Sequence, residues 1–508
     1  MKAAPELLEK VSSLESELDL KNKQIKSQKT QIKILEEQLR LSRQKQFGAS
    51  SEQVSPQQNL FNEAEETIEE EQAEEHTASV EIHAHTRKKK KRVSIPEHIE
   101  REVIIHDLPD AEKVCPHDGT ALNCIGEESH EQLDIIPAKI KALRHIRKKY
   151  ACPCCEQYLV TAEKPKQPIE KSIASPSLLA HIAVSKYADA LPLYRQTAMF
   201  KRIGFEFDRT SLANWMIKCG QLVQPLFNRL QDHLLEQALI HMDETTLQVL
   251  NEPGKKAQSK SYMWCMAADV KGASVVLYHY SDSRSQATPN ALLSGYRGGL
   301  MVDGYNGYQP ACDKENIIRL GCWAHARRKF VEAQKAQTTK KAGKADHALA
   351  DIQKLYRIEK EAKELTPEER YQLRQEKAKP IIEKLRTWLE KSLTQVPPKT
   401  LIGKALTYLH NQWRHLICYL ENGVYPIDNN RAENTIRPFV VGRKNWLFAN
   451  SQAGANASAN LYSLIETAKA QNLEPYSYLK DVFTRLPNAQ TVEDIDALLP
   501  WAMREKEK

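Results

Sequence analysis

The sequence predicts a multidomain α/β protein built around a mixed sheet that a helical insertion interrupts. Three observations predict it. Between residues 237 and 330, short runs of branched and aromatic residues alternate with turn-rich and helical segments. The stretch 331–424 is charged, carries few strand signals, and is punctuated by Pro367, Pro380, Pro397 and Pro398, which are expected to break its helices. The chain has 508 residues, too many for one core, so the sheet is expected to share it with other domains.

Residues 1–48 read as a coiled coil. Val11, Leu18, Ile25, Ile32 and Leu39 fall seven apart, with Leu7, Leu14, Lys21, Gln28 and Leu35 on the companion seam. Such a stripe closes against another helix, so a homo-oligomer is the expected result. A long amphipathic helix folded on its own chain is the alternative. Gly48 stops the helix. Residues 49–92 are a charged linker, in which Asn62–Glu75 holds eight glutamates and Arg87–Arg92 reads RKKKKR. Like-charge blocks repel and stay extended. The net charge of +7 therefore hides a segregation of sign that suits a polyanion partner, most simply nucleic acid.

Residues 93–162 read as a small zinc-knuckle-like, DNA-binding domain. Of ten cysteines, Cys152, Cys154 and Cys155 cluster, and Cys115 stands upstream beside His117. Cys and His two or three apart on a turn can meet one tetrahedral ion, which makes Cys115, His117, Cys152 and Cys155 the candidate Zn²⁺ ligands. Asp118 occupies the place of an expected second Cys. That leaves the fourth ligand to His117 or Asp118, or the knuckle without metal. A basic strip lies between the halves, and Arg144, Arg147 and Lys148 in it are expected to meet the DNA backbone. The cysteines form no disulfide framework, no secretory leader is visible, and no run of about 18 apolar residues exists. A cytoplasmic protein with no membrane partner is expected.

Residues 163–236 read as a helical, helix-turn-helix-like domain. Ser175-Pro176 starts one helix. Phe200–Met216 then gives a helix, a turn at Gly204 and a helix capped by Asp208 or Thr210. That is the length of a helix-turn-helix, and equally of an ordinary helical hairpin.

In 237–330 the leading strand is Leu239–Leu250, LIHMDETTLQVL, with Asp243 set among buried residues and Glu244 alternating to the other face. A buried carboxylate must be neutral, paired or on a metal. Ser261–Ala268 and Ser274–Tyr280 extend an antiparallel meander, Leu300–Val302 ends on Asp303, and Ile317–Ala324 runs into His325 and Arg327. Three strands, helix, strand, helix or loop, strand is the ribonuclease H-like order, in which the first and fourth strands are neighbours. Asp243 and Asp303 then meet, and two carboxylates that close call for a cation; hard oxygen ligands suit Mg²⁺ or Mn²⁺. Residues 425–508 return to this core and close with helices. Asp428 or Asn429 caps a helix there that holds Glu433, the expected third carboxylate, with Arg437 on the same face. Arg437, Arg443 and Lys444 border the site with positive charge suited to phosphate. Gly454–Asn460 is small and polar, and Leu461–Ala470 reads as a packed helix.

With Asp243, Asp303 and Glu433 aligned, the chain resembles a DDE transposase. HMDET, VDGYNGY, CWAHARRKF, DNNRAENTIRP and GRKNWLFANS, in this order, resemble the bacterial insertion sequence sixty-six family of transposases. FGASSEQ, IPEHIEREV and SKYADALPLYRQ do so as well. The resemblance spans about Leu35 to Leu479 and departs from the family at Asp118. It implies a ribonuclease H-like catalytic core with a helical insertion, N-terminal modules that recognise the element's ends, and accessory proteins of the same element. It places the triad on Asp243, Asp303 and Glu433, with His325 and Arg327 near it. It also implies a bacterial, nucleoid-associated protein that cuts element ends and joins them to target DNA with Mg²⁺ or Mn²⁺. A ribonuclease H-like nuclease that cuts without joining, and an inactive DNA-binding regulator, are the alternatives.

Overall fold

The computed structural model describes residues 3–47, 103, 139–151, 159–337 and 342–506. The chain divides into two compact units, one of residues 1–75 with 146–508 and one of residues 76–145. In the smaller unit, described residues 139–145 are exposed and without regular structure, Arg144 among them. The linker 49–92 and the candidate zinc ligands Cys115, His117, Cys152 and Cys155 lie outside the described residues.

The larger unit begins with α1 (Ala3–Phe47), a single unbroken helix. Its heptad seam is uncovered: Leu14, Leu18, Ile25, Ile32, Leu35 and Leu39 are exposed, whereas Ile34, off the seam, is buried. The Glu37 carboxylate accepts the Leu401 backbone N–H at 3.2 Å. Another face of α1 is thus tied to its own chain, and the seam stays open. Strands β1 (Lys149–Ala151) and β2 (Leu159–Thr161) pair antiparallel, and Arg147 Nε beside them donates to the Ala162 carbonyl.

Four helices follow: α2 (Pro176–Tyr187), α3 (Leu193–Arg202), α4 (Arg209–Leu222) and α5 (Gln224–Leu235). Ser175 caps α2 and Asp208 caps α4, each side chain accepting a first-turn N–H that has no partner inside the helix. Gly204 turns the chain between α3 and α4 at φ +93°, where a side chain would be strained.

The remaining elements are β3 (Leu239–Asn251), β4 (Lys260–Val270), β5 (Ala273–Ser281), α6 (Ala287–Leu292), β6 (Gly299–Val302), α7 (Gln309–Glu315), β7 (Ile318–Gly321) and α8 (Trp323–Lys335). Helices α9 (Lys344–Glu361), α10 (Pro367–Leu373), α11 (Lys379–Leu393) and α12 (Leu401–Leu416) form the insertion. The chain closes with α13 (Asn430–Trp446), β8 (Ala449–Ser451), α14 (Gln452–Ala470), α15 (Pro475–Arg485), α16 (Val492–Asp496) and α17 (Pro500–Lys506). No described helix is long and apolar enough to cross a membrane.

The sheet runs β5-β4-β3-β6-β7, with β8 also on β3. The β3–β4 and β4–β5 pairs are antiparallel, and the β3–β6 and β6–β7 pairs are parallel. Edge strand β5 is blunted by α14: Thr467 Oγ1 and Ser463 Oγ accept the Val276 and Tyr278 N–H groups, and Thr467 donates back to the Val276 carbonyl. Helices α2–α5 share one core with the sheet and with α14–α17. The insertion and α8 build a second core around Trp323, Phe330, Leu385 and Leu409, to which β6 and β7 lend Met301 and Leu320.

Three boundaries differ from the sequence reading. The fifth strand ends at Gly321, so His325 lies in the first turn of α8. The small-residue stretch Gly454–Asn460 is helical from Gln452, because small side chains let α14 press on α4. A Cβ added to Gly220 would lie 2.5 Å from the Ala457 Cα. Pro380 does not break its helix: Arg374–Ala378 is a π-helical turn between α10 and α11, and Pro380 falls in the first turn of α11, where its missing N–H costs little. Arg374 anchors that turn, donating to Glu359 and to the Tyr419 and Asn422 carbonyls while buried.

Candidate active site

Pairing between β3 and β6 ends at His241 with Met301. Asp243 and Asp303 follow, each two residues beyond. The register therefore carries the two carboxylates to the same end of two adjacent parallel strands. Asp243 is half-buried and its Oδ1 accepts the Glu244 N–H at 2.9 Å. Asp303 Oδ1 accepts the Tyr305 N–H at 2.8 Å, which fixes the turn after β6.

Glu433 comes from the first turn of α13 and is 6% exposed. Neither carboxylate oxygen has a hydrogen-bond partner among the described residues. Its nearest polar neighbours are the His325 ring, with Nδ1 3.4 Å from Oε1, and the Arg328 guanidinium, with Nη2 3.6 Å from Oε2. Burial, followed by the charges of Glu244 and Asp303, pushes the Asp243 carboxyl up to about 8. Burial pushes Glu433 up to about 9, against the pull of Arg328 and with the push of Asp243, Asp428 and Asp303. The three acids thus feel one another's charge, and without a cation the cluster favours protons.

Asn429 positions Glu433. Fully buried, it donates from Nδ2 to the Met242 carbonyl at 2.8 Å, and its Oδ1 faces His241 Nδ1 at 2.9 Å. Since the Asn429 amide nitrogen is the donor to Met242, its oxygen is the acceptor, so His241 carries its proton on Nδ1. Burial holds His241 down at about 4 and hence neutral. The Asn429 carbonyl accepts the Glu433 N–H at 3.2 Å. One residue thereby links the strand residues beside Asp243 to the backbone of Glu433. Its side chain makes no cap bond; Asp428 Oδ1 instead accepts the Asn430 N–H.

Glu244 belongs to the same neighbourhood. Arg284 Nε donates to its Oε1 at 2.6 Å and the Tyr308 hydroxyl to its Oε2 at 2.5 Å. Arg284 Nη2 also stands 4.0 Å from Asp303 Oδ2, with its guanidinium 4.0 Å from the centre of the Tyr305 ring. Nothing in the spacing of the sequence marks Arg284 or Tyr308, since one arrives on the loop after β5 and the other on a single 3-10 turn after β6.

The basic residues divide. Arg328 reaches Glu433, whereas the charge of Arg327 bears on Tyr356, whose hydroxyl donates to Asp428. Arg437 donates to Asn434 rather than to Glu433. Arg443 is committed to β3, donating to Thr245 Oγ1 and the Thr246 carbonyl, while Lys444 is exposed.

Hard carboxylate oxygens, two of the acids driven towards protonation, and a buried carboxylate with no hydrogen-bond donor fit a divalent cation. Softer ligands adjoin it. Cys322, His325 and Glu433 each present one ligand atom, all within 4.8 Å of one another, the one such set among the described residues. Burial and the charges of Arg328 and Lys329 hold His325 down at about 3, so its ring is neutral. The Cys322 sulfur accepts the Asn429 N–H at 3.2 Å, and burial raises its thiol well above the usual range.

A carboxylate cluster on an α/β core, in a chain with segregated charge, is the equipment of an enzyme that acts on nucleic acid. Family profiles narrow the class. The profile described as Transposase IS66 family matches residues 171–457, and the IS66 C-terminal element matches 463–501. The zinc-finger binding domain of transposase IS66 matches 112–156, and Transposase C of IS166 homeodomain matches 34–104. The chain belongs to the IS66 transposase family. It is similar to three proteins of Sinorhizobium fredii (strain NBRC 101917 / NGR234). Uncharacterized protein y4qI is 33% identical over 93% of this chain and 87% of its own length. Uncharacterized protein y4jD is 33% identical over 80% and 81%, and Uncharacterized protein y4hP 30% identical over 83% and 78%.

Proposed function

We propose that the chain is the transposase of a bacterial insertion sequence, cutting DNA at the element's ends and joining those ends to target DNA at Asp243, Asp303 and Glu433 on a ribonuclease H-like core. The observation that carries this reading is that Asp243 and Asp303 lie just past the paired ends of β3 and β6, and that their charges bear on a buried Glu433 with no hydrogen-bond partner among the described residues. The strand order, with its antiparallel meander followed by two parallel strands, supports the ribonuclease H-like assignment.

The three carboxylates would hold Mg²⁺ or Mn²⁺. Such ions supply Lewis-acid stabilisation of a phosphoryl transition state and lower the pKa of bound water. Asp243 and Asp303 would approach the scissile phosphate from the sheet and Glu433 from α13. Asn429 and Arg328 keep Glu433 in place, and Arg284 and Tyr308 supply donors to Glu244 beside the aspartates. No covalent protein intermediate is needed, so no nucleophilic side chain is assigned.

Lys444 and Arg437 on α13, with Arg144 and Lys148 upstream, are proposed to meet DNA phosphates. Thr210, Asn214, Lys218 and Gln221 are exposed on α4 and carry base-reading chemistry. The matched zinc-finger profile supports Zn²⁺ at Cys115, His117, Cys152 and Cys155. The open heptad seam of α1 supports a homo-oligomer, and accessory proteins and a nucleoid location complete the reading.

The test is a reaction of purified protein with labelled element ends, with and without divalent metal. Metal-dependent cleavage lost in Asp243→Asn and in Glu433→Gln, with end binding retained, is the expected result. Cleavage retained in both variants removes the assignment. Pre-cleaved ends mixed with target DNA test joining separately.

A further inference from the structure

A cavity of about 640 Å³ opens one residue past Asp303, between the turn after β6 and α12 of the insertion. That is within the range of about 300–1,000 Å³ typical of small-ligand sites. Its walls include Gln309, Arg319, Tyr408, Asn411, Gln412 and His415. Carboxamides beside an aromatic ring, with the guanidinium groups of Arg319 and Arg414, make a hydrogen-bonding surface that is also positively charged.

Two of these groups are buried with bonding capacity unused. Gln412 is 8% exposed and its Oε1 has no partner among the described residues; Arg319 is 5% exposed and its Nε has none among them. Buried polar atoms without partners are costly, so they call for a ligand or ordered water. The rest of the wall is firmly set. Arg319 donates to the Asp303 and Tyr305 carbonyls at 3.1 and 3.0 Å and to Gln309 Oε1 at 3.1 Å. His415 accepts from Arg414 Nε at Nε2, which leaves its Nδ1–H for the Arg319 carbonyl. Burial holds that ring neutral.

We infer that this cavity receives an unstacked nucleobase of the DNA strand being processed. A base edge offers donors and acceptors to carboxamides, and a base face stacks on an aromatic ring. The inference rests on the proposed action on DNA and deepens it: the cavity gives that action a base preference beside the cut. Arg319 connects the two, because the guanidinium that lines the cavity also holds the Asp303 backbone.

The full-length protein is titrated, without metal, against the four deoxynucleoside monophosphates and deoxyribose phosphate, followed by saturation-transfer NMR. One or two bases are expected to bind at least about tenfold more tightly than deoxyribose phosphate, as one or two hydrogen bonds would give. Gln412→Leu and Asn411→Ala should each remove most of that preference. Asn411 is exposed, and Leu at 412 removes an unpartnered oxygen, so neither variant should unfold the chain. Equal binding of all five compounds, or preference unchanged in both variants, overturns the inference. Metal-dependent cleavage by the wild type is measured alongside: its presence with no base preference sinks the cavity assignment alone, and its absence sinks the catalytic reading.

Discussion

Asp243 on β3 and Asp303 just past the end of β6 stand in register, because the offset of 60 that pairs His241 with Met301 also relates the two aspartates. Like charges held that close are unfavourable in a half-buried site, and Glu433 adds a third. Several measurable properties derive from this crowding.

Without metal, stability should fall as pH rises. Asp243 and Glu433 have folded pKa values of about 8 and about 9, well above ordinary carboxylates, so over the intervening range the folded chain holds protons that the unfolded chain has released. Their stabilisation is complete below about pH 4 and is lost as pH passes through 8 and 9. The melting temperature of chelated protein should decline across that window, and Mg²⁺ should raise it most at the alkaline end. A slope unchanged in the Asp243→Asn, Glu433→Gln double variant would refute the electrostatic account.

Asn429→Ala should separate positioning from folding. It strips the partners from the Met242 carbonyl and His241 Nδ1, both buried, at a cost of about 1–3 kcal/mol each. Denaturant unfolding reads that loss. Cleavage by the still-folded protein should fall through kcat rather than DNA affinity; a pure affinity loss would contradict the role given to Asn429.

Arg284→Ala should destabilise the chain by about 1–3 kcal/mol by leaving Glu244 short of a donor. Glu244→Gln, which keeps the shape and drops the charge, should be milder. In a double-mutant cycle the combined change should be smaller than the sum of the single ones; strict additivity would mean that the pair does not interact.

Gly220→Ala should cost about 1–3 kcal/mol, because its new methyl meets the Ala457 backbone rather than a side chain that can move aside. Thermal melting measures it. A neutral result would mean that α4 and α14 do not approach as described.

Ile25→Asp with Ile32→Asp should yield a smaller species in light scattering while the core's melting temperature holds, since both residues are exposed in the single chain. An unchanged mass would turn attention from the seam to another contact.

The sequence by itself determined the elements and much of their order. Runs of branched and aromatic residues marked β3 and β4, Ser175 and Asp208 announced their helices, and heptads marked α1. These signals lie within a few residues of one another, where period and capping chemistry are local. Asp243, Asp303 and Glu433 stood out as candidates because Asp243 is a carboxylate set in a buried strand, Asp303 follows the last residue of another and Glu433 lies in the first turn of a helix. Only the tertiary structure decided that Asn429 faces His241, that Arg328 reaches Glu433, and that Arg284 and Tyr308 restrain Glu244. Those partners are brought together by strand crossover and helix packing, and no periodicity along the chain records which side chains a fold will press together.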